Sequence, residues 1–150
     1  MNSTRPIYRA LLVCISIVSL SGCILVPFFQ AFKESGVTAD DRMALLEPQA
    51  KKFFDSVMMG DKTRALTFVL PESRSELSKR IKGRSDEERV VESKFEEVAW
   101  AEDARQATIT VKVRYYKVPY YIVETRLEEQ HWEFVLSDGW KLREMTVING

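Results

Sequence analysis

Residues 106–116, Gln-Ala-Thr-Ile-Thr-Val-Lys-Val-Arg-Tyr-Tyr, decide the fold class. Ala107, Ile109, Val111, Val113 and Tyr115 alternate with Gln106, Thr108, Thr110, Lys112, Arg114 and Tyr116, the period of two of a strand buried on one face. Downstream, Lys117-Val118-Pro119 reads as a turn, after which Tyr121, Val123, Thr125 and Leu127 alternate again. Trp132, Phe134 and Leu136 follow in the opposite phase. A strand cannot change faces without an irregularity, so the pattern predicts a bulge between Glu128 and His131. Ser137-Asp138-Gly139 signals a hairpin, and Trp140 and Leu142 return on the face of Trp132 and Phe134. Upstream, Phe95 to Trp100 makes a strand of undecided phase, turned by Glu102, Asp103 and Ala104.

Before residue 89 the period is helical. Leu45, Leu46, Ala50, Phe53, Phe54, Val57 and Met58 recur at steps of three and four, one apolar stripe expected from Arg42 onward. Pro48 falls inside it, so the helix starts there or kinks there. Gly60 is the expected stop. Asp61 can cap a second helix carrying Ala65, Leu66, Phe68, Val69 and Leu70, ended by Pro71. A short third helix opens near Ser73, buries Leu77 and Ile81, and is expected to close at Gly83 before a charged loop over 84–88. Three helices followed by a four-stranded antiparallel meander give an α+β domain, with the helices packed on one face of a curved sheet.

The chain has 150 residues, 45% hydrophobic and 29% charged, enough for one domain with one core. Its 22 basic and 22 acidic residues balance, which leaves no electrostatic footprint for nucleic acid. One histidine and two cysteines make a metal site implausible and no cofactor motif is present. Hydrolase, kinase and metalloenzyme patterns are all missing.

The N-terminus has its own logic. Arg5 and Arg9 precede an apolar run from Ala10 to Leu20, the length of a signal-peptide core, and Leu20-Ser21-Gly22-Cys23 follows. These four positions resemble the bacterial lipobox throughout. The resemblance implies cleavage between Gly22 and Cys23, a diacylglyceryl thioether on Cys23, and further acylation of its new amine by a chain such as palmitate. Two or three acyl chains anchor stably where one is marginal. The leader would span 1–22, the lipidated cysteine and tether 23–41, and the α+β domain 42–150. Loss of Arg5 and Arg9 with the leader leaves 20 bases against 22 acids, a net charge of −2. Cys14 would leave with it and Cys23 would be blocked, so the domain would hold no thiol for catalysis.

No Asp follows Cys23. In a Gram-negative host, known sorting rules then imply the periplasmic face of the outer membrane, and in a Gram-positive host the plasma membrane. The competing reading is an uncleaved single-pass anchor, since Ile24, Leu25 and Val26 prolong the apolar run and Phe28, Phe29 and Phe32 follow. Gly22 and Pro27 interrupt that span. Either way the remainder is expected outside the cytoplasm, in the cell envelope. Residues 24–32 read as a stretch lying among lipid headgroups or as one packed on the domain.

The domain resembles the nuclear transport factor 2-like superfamily, a curled sheet wrapped over a long helix to form a cone. The resemblance rests on Phe53-Phe54-Asp55-Ser56-Val57-Met58-Met59-Gly60-Asp61, on Ala65 to Leu70 leading into Pro71-Glu72-Ser73-Arg74, and on Trp132-Glu133-Phe134 with Asp138-Gly139-Trp140-Lys141-Leu142. These are core and turn positions. The superfamily includes isomerases, dehydratases and cyclases as well as binding domains, so membership assigns no activity.

His131 is a candidate base beside scattered carboxylates, set against the reading of a merely solvated surface histidine. Trp100, Tyr115, Trp132 and Trp140 are core residues that would line a cavity if one survives in the cone. Tyr115, Tyr116, Tyr120 and Tyr121 flank Pro119, either as an exposed aromatic surface for a partner or a glycan or as half-buried packing, and that turn could also mediate a homodimer. Lys112, Arg114 and Lys117 lie near those rings, where they could hold an anionic group, but are expected to pair with Glu124, Glu128 and Glu129. The expectation is a lipid-anchored envelope protein with a non-catalytic domain that binds a protein partner or a small hydrophobic ligand. The alternative is an isomerase or lyase working inside the cone through His131 or a buried carboxylate.

Overall fold

The computed structural model describes residues 35–149, with backbone only for 82–86 and 149. The expectations for the leader, for Gly22 and Cys23, and for residues 24–32 lie outside the described residues.

Helix α1 (Ala39–Met58) opens three residues before the expected start, because Thr38 and Asp41 form a capping box. The Asp41 amide donates to Thr38 Oγ1 and the Asp41 carboxylate accepts from the Thr38 amide, satisfying amides that helix geometry leaves open. Pro48 does not interrupt the helix. Ala44 and Pro48 both face solvent, so water can satisfy the carbonyl that the missing proline N–H leaves behind. The stop at Gly60 is as expected. With φ at 72°, Gly60 lets its own amide reach Val57 O and the Asp61 amide reach Ser56 O, closing the helix with two reversed bonds. Asp61 then caps α2 (Lys62–Thr67), accepting from the Arg64 amide.

A single 3₁₀ turn (Pro71–Ser73) leads into α3 (Arg74–Glu87). This helix runs straight through Gly83, and the charged loop expected at 84–88 does not form. A glycine inside a helix costs only about 1 kcal/mol relative to alanine, which the packing of Leu77 and Ile81 can outweigh.

The sheet follows in order β1 (Glu88–Trp100), β2 (Gln106–Lys117), β3 (Val123–Val135) and β4 (Gly139–Asn149), each pair antiparallel. The helices stand ahead of the meander as expected, an α+β arrangement. Strand β1 starts earlier than Phe95, and register shifts at Val90/Glu92 and Phe95/Glu97 explain its undecided phase: each extra residue resets the alternation. Further shifts between β3 and β4 occur at Leu127/Glu128 and His131/Trp132.

Those shifts add residues to β4, not β3. Against β2, strand β3 keeps one unbroken register from Tyr116↔Val123 to Gln106↔Glu133. The bulge expected between Glu128 and His131 is therefore absent, and no change of face takes place. Tyr121, Val123 and Thr125 are exposed and Leu127 half-exposed, whereas Arg126, Glu128, Gln130, Trp132 and Phe134 point inward in one row.

The core lies between α1 and the sheet. Phe53 meets Trp132 edge-on at 5.9 Å, and Phe134 meets Trp140 at 5.5 Å, geometries that aromatic quadrupoles favour. At the chain's entry, the buried Arg42 donates to four carbonyls: Gly36, Val37, Asp103 and Ala104. It ties the start of the domain to the β1–β2 turn.

Candidate functional site

At the other end of the sheet, the inward row on β3 turns ionic. Arg126 is 5% exposed and Glu128 1%. Arg126 Nε donates to Glu128 Oε1 at 2.6 Å and its Nη1 to Glu88 Oε2 at 2.5 Å. The guanidinium carbon also sits 4.2 Å from the centre of the Tyr115 ring, a cation–π contact. Burial acts to lower the Arg126 pKa, but the field and hydrogen bonds of Glu128 and Glu88 outweigh it and hold the group above its ordinary value. The arginine stays charged.

Gln130 continues the row. Its carbonyl accepts from the Trp132 indole N–H at 3.1 Å and its amide donates to Met145 Sδ at 3.6 Å. Tyr115 donates its hydroxyl to Glu124 at 2.8 Å; burial first, then the Glu124 bond and charge, raise its pKa above 10.0.

Beside this cluster lies a cavity of about 360 Å³, between the C-terminal end of α1, Ile81 of α3 and the inner faces of all four strands. Phe53, Phe54, Val57, Ile81, Val113 and Met145 form its apolar walls, and Glu88, Arg126 and Glu128 its ionic floor. Met58, Met59 and Arg89 are exposed beside it, and Lys62 is half-buried there. The volume is within the range of small-molecule sites, and apolar walls around a few converging polar groups are their usual make-up.

The residues singled out from sequence lie elsewhere. Trp132 and Trp140 are fully buried, with indole N–H groups donating to Gln130 and to the Arg42 carbonyl. Tyr115 is buried against Arg126 behind the cavity. Trp100 is partly exposed, edge-on to Trp140 at 5.8 Å. His131 points to the outer face, between Thr108 Oγ1 at 3.0 Å and Glu129 Oε1 at 3.1 Å. It borders a second, shallower hollow of about 430 Å³ with Trp100, Thr108, Trp132, Glu133 and Arg143. Lys117 lies 4.0 Å from Glu124 as expected, whereas Arg114 pairs with Glu92 of β1 and Glu128 is drawn inside by Arg126.

The Glu88–Arg126–Glu128 cluster was missed because charges inside an alternating strand read as its solvent face. Parity held the signal: Arg126, Glu128 and Gln130 share it with Trp132 and Phe134.

No protein-family model matches the chain, and no curated protein is similar to it at a significant level. Solved structures do resemble it. A ketosteroid isomerase-like protein from Erwinia carotovora atroseptica superposes with a TM-score of 0.53 at 12% identity, covering 71% of this chain and 96% of its own. A protein with a cystatin-like fold from Nostoc punctiforme gives 0.53 at 13% identity, covering 73% and 91%. A SEC-C motif containing protein from Rhodopseudomonas palustris gives 0.54 at 11% identity, covering 64% and 73%. Identities this low speak for the fold alone. With helices packed inside a curved four-stranded antiparallel meander and neighbours of this kind, the domain has the nuclear transport factor 2-like cone fold.

Proposed function

We propose that this chain is a membrane-anchored envelope lipoprotein whose cone is a binding module for a small apolar ligand or an apolar group of a protein partner. The observation that carries the binding role is the 360 Å³ cavity with apolar walls over Glu88, Arg126 and Glu128. The support for anchoring is the complete lipobox Leu20-Ser21-Gly22-Cys23 behind a basic and apolar leader. In a Gram-negative host the site of action would be the periplasmic face of the outer membrane.

Binding is favoured over isomerase or lyase chemistry by where the titratable groups sit. His131 lies on the outer face, away from the cavity. Glu88 and Glu128 both accept hydrogen bonds from Arg126, so the floor's carboxylates are engaged by a permanent cation. A general base needs an oxygen directed at its substrate's proton.

Anchoring is tested by intact mass of the protein extracted from membranes, beside Cys23→Ser. The expected wild-type mass is that of residues 23–150 plus acyl chains, with the variant uncleaved. A full-length, unmodified wild-type mass would instead make residues 10–32 a spanning anchor. Among the described residues no helix is long and apolar enough to cross a membrane.

A further inference from the structure

The turn between β2 and β3 exposes an uninterrupted apolar sequence. Tyr120 is 76% exposed, Tyr121 70% and Ile122 67%, and Val118 and Val123 beside them are also open. No charge interrupts 118–123. Such contiguous exposure is uncommon on a protein that meets only water. Tyr121 holds φ at 52°, the left-handed region that a bulky side chain avoids, and its ring lies 5.3 Å from that of Tyr116. An unfavourable backbone setting that presents aromatic groups to solvent points to a use for them.

The geometry of the chain suggests what that use is. The domain is entered beside the β1–β2 turn, where Arg42 binds Gly36 and Ala104, and the tyrosine turn is at the far end of β2. Twelve strand residues at ~3.3 Å each separate the two ends by about 40 Å. Residues 23–35 have a contour of about 45 Å at most. A domain lying on its side can therefore rest one end over its acylated cysteine and the other on the same bilayer. Tyrosine, with an apolar ring and a polar tip, is a side chain that bilayer interfaces favour. Lys117 and Arg114 stand near the turn, each already paired with a carboxylate, Glu124 and Glu92, so the contact is carried by the apolar side chains. The first anchor also keeps the turn at high effective concentration near lipid, so a weak second contact suffices.

We propose that Tyr120, Tyr121 and Ile122 form a second membrane contact, seated in the headgroup region of the bilayer that holds Cys23. This rests on the anchoring proposed above. It also places the cavity, whose Glu88 is the register partner of Lys117, close to the lipid surface.

The test uses the mature protein in vesicles of phosphatidylethanolamine and phosphatidylglycerol, with Ile122→Cys carrying a nitrobenzoxadiazole dye. Lipidated chain offers no other thiol, since Cys14 is gone and Cys23 is a thioether. A chain that kept its leader would take up dye at 14 and 23 as well, so failure of the anchor is read separately from failure of the contact. The expected result is a blue-shifted emission, quenched at least twofold by lipids bearing a nitroxide near the headgroup. Adding Tyr120→Ser and Tyr121→Ser should abolish the quenching while the chain stays anchored. A dye indifferent to nitroxide lipid overturns the proposal. So does a blue shift that appears without lipid and grows with protein concentration, which would assign the turn to a second copy of the chain.

Discussion

Arg126 and Glu128 stand two residues apart on one strand and bond to each other at 2.6 Å inside the cone, although the later residues of their parity on β3, Gln130, Trp132 and Phe134, are amide or aromatic. A third charge, Glu88, reaches the same guanidinium from the start of β1. Buried ion clusters are poor stabilisers compared with apolar packing, but breaking one is severe because the abandoned charge stays buried.

The first prediction follows from that asymmetry. Arg126→Met should lower unfolding free energy by about 3–5 kcal/mol, and adding Glu128→Leu should recover a large part of it. Urea unfolding of the two variants and the parent measures this. Equal loss in both would mean that the cost comes from packing rather than from stranded charge.

The second concerns alkaline pH. The folded state raises the Tyr115 pKa above 10.0, so it holds the phenol proton more tightly than the unfolded chain does. This contribution is fully present below about pH 10 and is lost as pH rises through the folded pKa. Absorbance titration near 295 nm should show a phenol ionising above 10.0 that disappears in Tyr115→Phe.

Two glycines provide a controlled contrast. Both Gly36 and Gly60 have positive φ, but a Cβ on Gly36 would lie 2.2 Å from the Phe134 ring, whereas one on Gly60 meets nothing within 4 Å. Gly60→Ala should cost about 1–2 kcal/mol of backbone strain, and Gly36→Ala should add about 1–3 kcal/mol of overpacking. Thermal unfolding should rank them in that order.

His131→Gln should leave stability within about 0.5 kcal/mol of the parent, because it removes only half-exposed contacts to Thr108 and Glu129. It should also leave ligand binding unchanged. A variant that lost binding would move the site to the outer face.

Much of the fold was legible because its signals are local. The Phe53/Phe54 stripe, the Asp61 cap, the Ala107–Tyr115 alternation and the Gly139 turn each depend on neighbours in sequence. The candidate site was not. Charges at 126 and 128 read as solvent-facing until Glu88, 38 residues back along the chain, supplies the second carboxylate. Apolar Val123 and Leu127 strengthened the wrong phase, although they lie on the sheet's outer side. Gly83 misled for a different reason: its penalty is small, and α3 absorbs it.

The binding role is tested most directly by native mass spectrometry of the extracted protein with added decanol, beside Val57→Phe, which places a ring in the cavity from its α1 wall. The account predicts a one-to-one complex with the parent and at least a tenfold loss in the variant, with the two chains unfolding at similar temperatures. Decanol retained equally by both, or by neither, would contradict a ligand seated over Arg126.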